Sequence, residues 1–321
     1  MRIVNWLKSV AGGRIFIAWL FWATAMMSNA IVGVLIQRFV ESRLSKNSEP
    51  LVDIGFEILP YIHPKSFGVS IPDLCSLVSA TLVALSLVVH FSVPNATILL
   101  RRVLVISGVA YFGRAVSIPQ TLLPNPDASC IPNLNGDSVL VSAILVPFGG
   151  AVTCTDVFYS GHTIPITCAI MVWLDYMRTN RLRWLGISVS SFALLGIIAT
   201  HFHYTVDVFY GMAITYFLWR IYHFALSCPA VFHYLPWVVW WEAQDAVGDG
   251  IYNKSEKSAG VYRMDLSRDP RIIWTYSNED KKQQTCPSPK LSKAQLLLLL
   301  IVTLTLSPSW IAVYHGATFT S

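Results

Sequence analysis

Charged residues are scarce in this chain. Asp, Glu, Lys and Arg together make up 13% of its 321 residues, whereas soluble domains carry about 25%. The hydrophobic fraction is 54% and the mean hydropathy is +0.53, so an ordinary soluble domain is excluded. The basic residues lie in loops between apolar runs, which argues against nucleic-acid binding, because that function needs a basic face on a soluble fold.

Paired metal-binding cysteines are also lacking. The six cysteines form no C-x-x-C pair and show no zinc-type spacing. Most are interpreted as small apolar side chains. Cys130 and Cys154 fall in the same predicted non-cytoplasmic loop, and the sequence leaves open whether they form a disulfide.

Long apolar runs predict an all-α polytopic membrane protein with six transmembrane helices. The first run has 23 residues without a charge, which is long enough to cross a bilayer. The predicted spans are Ile15 to Gln37, Leu74 to Phe91, Arg101 to about Pro119, Val157 to Tyr176, Trp184 to Thr200, and Val206 to about Leu226.

Four regions follow from these runs. Residues 1–14 form a basic amphipathic segment predicted to lie on the membrane surface, and residues 15–226 form the six-helix catalytic domain. Residues 227–293 are a cytoplasmic tail, which contains an aromatic stretch at 236–241 and then a polar region from Glu242 to Lys293. Residues 294–321 are an apolar C-terminal segment that could be a seventh span kinked at Pro308 or a monotopic hairpin. Residues 139–152, broken by Pro147, are interpreted as interfacial or re-entrant.

Loop charge predicts the orientation, because Lys and Arg are retained on the cytoplasmic side. One side holds most of the basic residues, while the opposite side holds four, all in the first loop: Arg38, Arg43, Lys46 and Lys65. Residues 120–157 contain no Lys or Arg. The N-terminus is therefore predicted to be cytoplasmic.

Two polar clusters interrupt the apolar pattern, one at residues 154–163 and one at residues 201–207. The topology places both on the non-cytoplasmic face. His203 and Asp207 are four apart, so both would lie on one helix face if the last span begins near them. Asp207 could then accept the N–H of one imidazole nitrogen and leave the other as a base or nucleophile. His162 could supply the complementary acid or base.

Alternative roles stay open for several of these residues. A single interfacial histidine often only binds a carbonyl oxygen, and two His with two Asp could hold zinc or magnesium. Ser160 could cap a helix or bind phosphate, and Asp156 could support the site or only a helix start. Arg114 lies inside a predicted span, where it could bind a substrate phosphate or extend to the interface.

These residues resemble the sphingomyelin synthase family, within the lipid phosphate phosphatase superfamily. The resemblance covers about residues 70–223. The matching motifs are Cys154-x-Asp156-x-x-x-Ser160-Gly161-His162-Thr163, His203-Tyr204-Thr205-x-Asp207-Val208, Tyr222-His223, Arg101-Arg102 with Tyr111-x-x-Arg114, and, more weakly, Ile71-Pro72-Asp73. The chain departs from the family pattern at Thr155, Gly113, Ser70-Ile71 and Trp219. These departures bear on the choice of head group and leave His162, His203 and Asp207 in place.

The resemblance implies a phosphotransferase. His203, oriented by Asp207, would attack a glycerophospholipid and release diacylglycerol, and His162 would help the primary hydroxyl of ceramide attack the phosphohistidine. Arg114, Ser160, Asp156 and Tyr204 would bind substrate. The donor could be phosphatidylcholine, phosphatidylethanolamine or phosphatidylinositol.

The implied scheme needs no cofactor or metal, and its partners are lipids, with a homo-oligomer left open. The family favours the Golgi or the plasma membrane, with the active site on the lumenal or extracellular face.

Two rival functions are a lipid phosphate phosphatase and a non-enzymatic membrane scaffold or transporter. The phosphatase motif K-x-x-x-x-x-x-R-P does not occur in the sequence. A phosphomonoester dianion needs several cations to hold it, and few lie near the two clusters. A scaffold or transporter would need no His–Asp pair on one face.

Overall fold

The computed structural model describes most of the chain between Val10 and Glu242. The described residues are 10–43, 49–66, 69–90, 93–127, 130–134, 136, 138–148, 150–155, 157–177, 179–227, 238, 241 and 242. Residues 1–9 of the predicted N-terminal surface segment, the C-terminal apolar segment and nearly all of the predicted tail therefore lie outside the described residues. Residues 10–14 of that N-terminal segment belong to the first described helix.

Helices make up almost all of the described structure, as predicted. They are α1 (Val10–Arg43), α2 (Ile54–Ile58), α3 (Ile71–His90), α4 (Val93–Ser117), α5 (Val139–Leu145), α6 (Thr163–Tyr176), α7 (Asn180–Ala199) and α8 (Thr205–Ser227), with single 3-10 turns at Ile118–Gln120 and Val146–Phe148. One antiparallel hairpin pairs β1 (Lys65–Ser66) with β2 (Val69–Ser70).

Three helices are long and apolar enough to cross a membrane: Arg14–Ser42, Ala96–Gln120 and Asn180–Ala199. Ile71–Leu87 and Thr163–Tyr176 are shorter apolar helices. An integral membrane protein is therefore supported, and the count of six spans stays a prediction. The apolar segment at 139–152 forms a seven-residue helix followed by a 3-10 turn, which is too short to span.

Two predicted spans begin elsewhere in the structure. The fourth helix was expected from Val157, but α6 begins at Thr163, because residues 157–162 form a non-helical loop that enters the site. The third was expected to start at Arg101, but α4 already begins at Val93. Arg101 and Arg102 are buried inside it, since a carboxylate from the far end of the chain balances their charge.

That carboxylate belongs to Glu242. Its Oε2 accepts a hydrogen bond from Arg101 at 3.0 Å, and its Oε1 accepts one from Arg102 Nε at 3.1 Å. The Tyr222 hydroxyl on α8 donates to Glu242 Oε1 at 2.6 Å. A residue assigned by sequence to the cytoplasmic tail is therefore part of the helix bundle.

Small residues let the helices approach closely where the site forms. A Cβ at Gly211 in α8 would lie 3.1 Å from the Ser160 carbonyl oxygen and from Thr163 Cβ at the start of α6. The Ser160 N–H also donates to the Asp207 carbonyl oxygen at 3.1 Å. The beginnings of α6 and α8 therefore lie against each other, and with them the two polar clusters.

The loop before α6 is held by a disulfide between Cys130 and Cys154, the pairing that the sequence left open. Gln37 on α1 accepts a hydrogen bond from the Cys154 N–H at 2.8 Å. Asn125 donates to the Cys154 carbonyl oxygen at 2.8 Å. The chain is thus fixed on both sides of Cys154, three residues before it enters the site at Val157.

Candidate active site

His162 and His203 meet in the structure, as their predicted location on one face requires. His162 directly precedes α6, and His203 lies in the turn between α7 and α8. Their ring centroids are 5.8 Å apart, and the rings are inclined by 55°. Phe202 packs edge-on against both imidazoles, with centroid distances of 5.3 Å to each.

A backbone oxygen orients His203. Its Nδ1 is 3.1 Å from the Val157 carbonyl oxygen, and because a carbonyl only accepts, Nδ1 carries the proton. Nε2 then holds the lone pair. Burial lowers the pKa of His203 well below its ordinary value of 6.5, and the charges of His162 and Arg114 lower it further. The ring is therefore held neutral, as a nucleophile must be.

The predicted hydrogen bond between Asp207 and His203 is not formed. Asp207 Oδ2 accepts from the Tyr204 N–H at 3.1 Å, which caps the first turn of α8 in the manner of a capping-box acid. The pairing fails because α8 begins at Thr205, so His203 precedes the helix and does not share its face. Asp207 Oδ1 is buried without a hydrogen-bond partner in the described part of the chain.

The carboxylate that pairs with an active-site histidine comes instead from Asp73. His162 Nε2–H donates to Asp73 Oδ1 at 2.9 Å, from the first turn of α3. This bond leaves His162 Nδ1 as the nitrogen available for proton transfer, and that atom is buried with no partner among the described residues. In the sequence, Asp73 stood out only as the end of the weak Ile71-Pro72-Asp73 motif.

Arg114 lies beneath the loop that carries His162. It is buried, its Nε donates to the Tyr159 carbonyl oxygen at 2.7 Å, and its Nη1 donates to Asn29 Oδ1 on α1 at 2.8 Å. A Cβ at Gly161 would lie 3.4 Å from the Arg114 guanidinium carbon. The side chain therefore stays inside the bundle and does not extend to the membrane interface. Binding of a substrate phosphate stays a prediction.

Ser160 does not cap α6. His162 is the cap residue, and no side chain provides a cap hydrogen bond there. Ser160 is fully buried, and its hydroxyl has no partner among the described residues. Phosphate binding by Ser160 stays a prediction. Asp156 lies outside the described residues.

Tyr204 is buried, and its hydroxyl accepts a hydrogen bond from the Leu51 N–H at 2.9 Å. Its neighbour Thr205 donates from both its N–H and its hydroxyl to the Asp53 carboxylate, at 2.6 and 2.7 Å. Asp53 also caps α2 by accepting from the Gly55 N–H at 2.8 Å. Sequence reasoning missed Asp53, whose only signal was a carboxylate just before a short apolar helix.

Two residues beside the site have backbone angles that are rare outside glycine. Tyr159 has φ 45° and His201 has φ 52°. Tyr159 directly precedes Ser160, and His201 lies two positions before His203. Such strained positions persist only where the surrounding structure holds them, and they cluster at functional sites.

The site thus combines two imidazoles of fixed orientation, a buried guanidinium and an unpartnered hydroxyl. One imidazole can act as nucleophile, the other as acid and base, and the cation and the hydroxyl can hold an anionic phosphate. Groups of three or more His, Cys, Asp or Glu side chains that could hold a metal ion do not occur among the described residues.

Comparison with known proteins agrees with this chemistry. A family model described as PAP2 superfamily C-terminal matches residues 153–224, the stretch with both polar clusters. Phosphatidylcholine:ceramide cholinephosphotransferase 2 of Caenorhabditis elegans is 24% identical over 232 residues, which is 64% of this chain and 68% of that protein. Its namesake in Rattus norvegicus is 28% identical over 228 residues, 66% of this chain and 58% of that protein.

The human phosphatidylcholine:ceramide cholinephosphotransferase 1 is 27% identical over 225 residues, 66% of this chain and 52% of that protein. The chain thus spans about half to two thirds of the length of these relatives, whose names describe phosphotransferases. The range matched by the family model includes the motifs at 154–163 and 203–208. The family model and these relatives support the resemblance to the sphingomyelin synthase family, within the lipid phosphate phosphatase superfamily.

Proposed function

We propose that the protein transfers a phospho-head group from a glycerophospholipid to the primary hydroxyl of ceramide and releases diacylglycerol. The observation that carries the proposal is the meeting of His162 and His203 in one site, each with one ring nitrogen held by a fixed acceptor. The names of the relatives favour phosphocholine as the head group, with phosphoethanolamine and phosphoinositol as the alternatives.

The first half-reaction forms a phosphohistidine. His203 Nε2 attacks the phosphorus of the donor, and the bond between phosphorus and the glycerol oxygen breaks. Protonated His162 gives its Nδ1 proton to the leaving oxygen, so that neutral diacylglycerol departs. Arg114 and the Ser160 hydroxyl stabilise the charge on the phosphoryl oxygens.

The second half-reaction reverses these roles. Neutral His162 takes the proton of the ceramide hydroxyl, whose oxygen attacks the phosphorus, and the bond between phosphorus and His203 Nε2 breaks. His203 is regenerated as a neutral ring, and His162 is again protonated. Asp73 stabilises the imidazolium form of His162 in this cycle. Asp207 has a different role, because its bond to the Tyr204 N–H fixes the turn that carries His203.

A phosphodiester substrate fits the charge of this site better than a phosphomonoester. The phosphodiester carries one negative charge, which Arg114 can balance, whereas a monoester dianion calls for several cations. This difference supports the transferase over the lipid phosphate phosphatase. A scaffold or transporter would not need the two oriented histidines.

The disulfide supports a site on the lumenal or extracellular face. Cys130–Cys154 closes the loop that leads directly to Val157, and disulfides form and persist in oxidising compartments. This orientation suits a six-span protein of the Golgi or the plasma membrane with a cytoplasmic N-terminus.

A lipid exchange assay tests the proposal. Membranes that contain the protein are given labelled ceramide together with each of the three phospholipid donors in turn. A labelled phosphosphingolipid and an equal amount of diacylglycerol are expected. Release of phosphate from a phosphomonoester without dependence on ceramide would favour the phosphatase.

A further inference from the structure

Residues 51–62, which include α2, lie across the turn between α7 and α8. The segment is held at both ends by hydrogen bonds, from the Leu51 N–H to the Tyr204 hydroxyl and from the Ile62 N–H to the Ala199 carbonyl oxygen, each 2.9 Å long. Between them, Asp53 binds Thr205. The segment is therefore fixed to the turn that carries His203.

One face of the segment is directed to this turn. The Phe56 ring stacks on the His201 ring at a centroid distance of 4.0 Å. Gly55 is buried, and a Cβ at that position would lie 3.1 Å from an Ile198 methyl carbon. The Asp53 carboxylate also lies on this face. It accepts hydrogen bonds from the N–H groups of Gly55 in α2 and Thr205 in α8.

The other face is apolar, and among the described residues nothing covers it. Val52 is 97% exposed, Ile54 is 74% exposed and Ile58 is 73% exposed. Ile54 and Ile58 are four residues apart in α2, so they lie on one side of the helix. A group of large exposed aliphatic side chains of this kind marks a surface that another apolar phase covers.

The position of the segment identifies that phase. Ala199, which binds Ile62, is the last residue of α7, one of the helices able to cross a membrane. The segment therefore lies at one end of a helix that is long and apolar enough to cross the bilayer. Nearby apolar side chains on α7 and α8, Phe192, Leu195, Val206 and Phe209, are also exposed, so the surface continues the lipid-facing surface of the bundle.

We propose that residues 51–62 form an interfacial lipid-contact element, which inserts Val52, Ile54 and Ile58 into the bilayer leaflet on the active-site side. Short amphipathic segments bind at the boundary between head groups and acyl chains in this way. The exposed carboxylate of Glu57 lies among the head groups. The element fixes the turn of His203 at the depth where the phosphates of lipid substrates lie. Its benefit to catalysis rests on the proposed function, whereas its contact with lipid does not.

The first test measures depth without using activity. A nitroxide is attached to Ile54→Cys or Ile58→Cys in a chain whose cysteines outside the Cys130–Cys154 pair are replaced by alanine. The protein is reconstituted in phosphatidylcholine vesicles, and collisions with oxygen and with a water-soluble nickel chelate are compared by electron paramagnetic resonance. Greater oxygen and lower nickel access than at Glu49→Cys, an exposed charged position just before the segment, is expected.

Equal nickel access at Ile54→Cys and Glu49→Cys would overturn the proposal. Dipolar broadening between labels on different molecules would overturn it in favour of a second copy of this chain as the occupant of the surface.

The second test uses the reaction. The double variant Ile54→Glu, Ile58→Glu is assayed with long-chain ceramide in vesicles and with short-chain ceramide in detergent micelles. The apparent KM is expected to rise about fivefold or more for the vesicle substrate and less than about twofold for the micellar one. Ile131→Glu, a change of the same kind at another exposed site, is the matched control. An equal loss with both substrates, or no loss with either, would contradict the proposal.

Discussion

Asp73 Oδ1 lies 2.9 Å from His162 Nε2, although the two residues are separated by 89 positions and belong to different helices. The contact makes α3 part of the active site. It also gives His162, and not His203, the carboxylate partner. A histidine that must gain and lose a proton in each half-reaction benefits from such a partner, whereas a nucleophile needs a neutral ring.

Replacement of Asp73 by Asn tests this assignment. The imidazolium form of His162 loses its counter-charge, and we expect kcat to fall by about 100-fold, within the usual range for acid–base catalysis. Steady-state kinetics and the pH profile of kcat are the measurements. Asp175→Asn, whose carboxylate binds Trp219 and Arg220 outside the site, is the control. An unchanged kcat in Asp73→Asn would remove Asp73 from the mechanism.

His203→Asn is expected to abolish transfer and to prevent the phosphohistidine from forming, because no other described side chain replaces its Nε2. His201→Asn is the matched control in the same turn. Asn tolerates the left-handed backbone angle of His201, and the His201 ring packs on Phe56 and Tyr61 and is not placed as the nucleophile. The intermediate is measured by incubating the protein with labelled phospholipid donor in the absence of ceramide. The acid-labile label that stays bound to the protein is then counted. Labelled intermediate in His203→Asn would identify a different nucleophile.

The fall of kcat/KM at low pH, its acid limb, reports the protonation of His203 in the free enzyme. Burial and the nearby cations lower the pKa of His203 below 6.5, so the neutral, reactive ring is present above that pKa and is lost as the pH falls through it. We therefore expect the acid limb to lie below pH 6.5. Arg114→Gln removes one of these cations and should move the limb to higher pH. A limb that stays in place in Arg114→Gln would show that Arg114 does not act on this ring.

Asn29 on α1 accepts a hydrogen bond from Arg114 Nη1 at 2.8 Å. Asn29→Leu removes this acceptor and lets the guanidinium shift, so we expect the KM for the phospholipid donor to rise by about tenfold, the equivalent of one hydrogen bond to a charged group. The KM for ceramide should change much less. Asn29→Gln tests whether a longer amide restores the contact. Equal effects on both KM values would indicate a general loss of structure.

Loss of the Cys130–Cys154 disulfide should destabilise the protein by about 3 kcal/mol, because the bond closes a loop of 24 residues. Thermal unfolding of Cys130→Ser, Cys154→Ser and the double variant, with and without reductant, measures the effect. The three variants should share one Tm, equal to that of the reduced protein. A double variant with a lower Tm than either single variant would show that the thiols act separately.

Composition predicted a helical membrane protein, whereas the six-span count and the orientation from loop charge stay predictions. Apolar runs located α3, α7 and α8 to within four residues at each end. The lack of Lys and Arg in residues 120–157 predicted that His162 and His203 lie on one face, and the two rings meet in the structure. Apolar runs and loop charge both reflect the free-energy cost of placing a charge in lipid. This cost applies to each residue separately, so it can be deduced from the sequence alone.

The pairings within the site could not be deduced in the same way. The partner of His203 is the backbone oxygen of Val157, and a backbone acceptor has no residue type to reveal it. The four-residue spacing of His203 and Asp207 suggested a shared helix face, but it depended on where α8 begins. Arg101 and Arg102 could be buried only because Glu242, at sequence separations of 141 and 140, folds back onto them.

The same Glu242 contact sets a practical boundary for shorter versions of the protein. Arg102 and Arg114 are twelve positions apart on α4, about 18 Å along the helix, so the carboxylate lies far from the chemistry. A truncation directly after α8 would nevertheless remove the Glu242 carboxylate from two buried arginines, at a cost of about 3–5 kcal/mol. Expression of the catalytic bundle therefore calls for a C-terminal boundary beyond Glu242, even though α8 ends at Ser227.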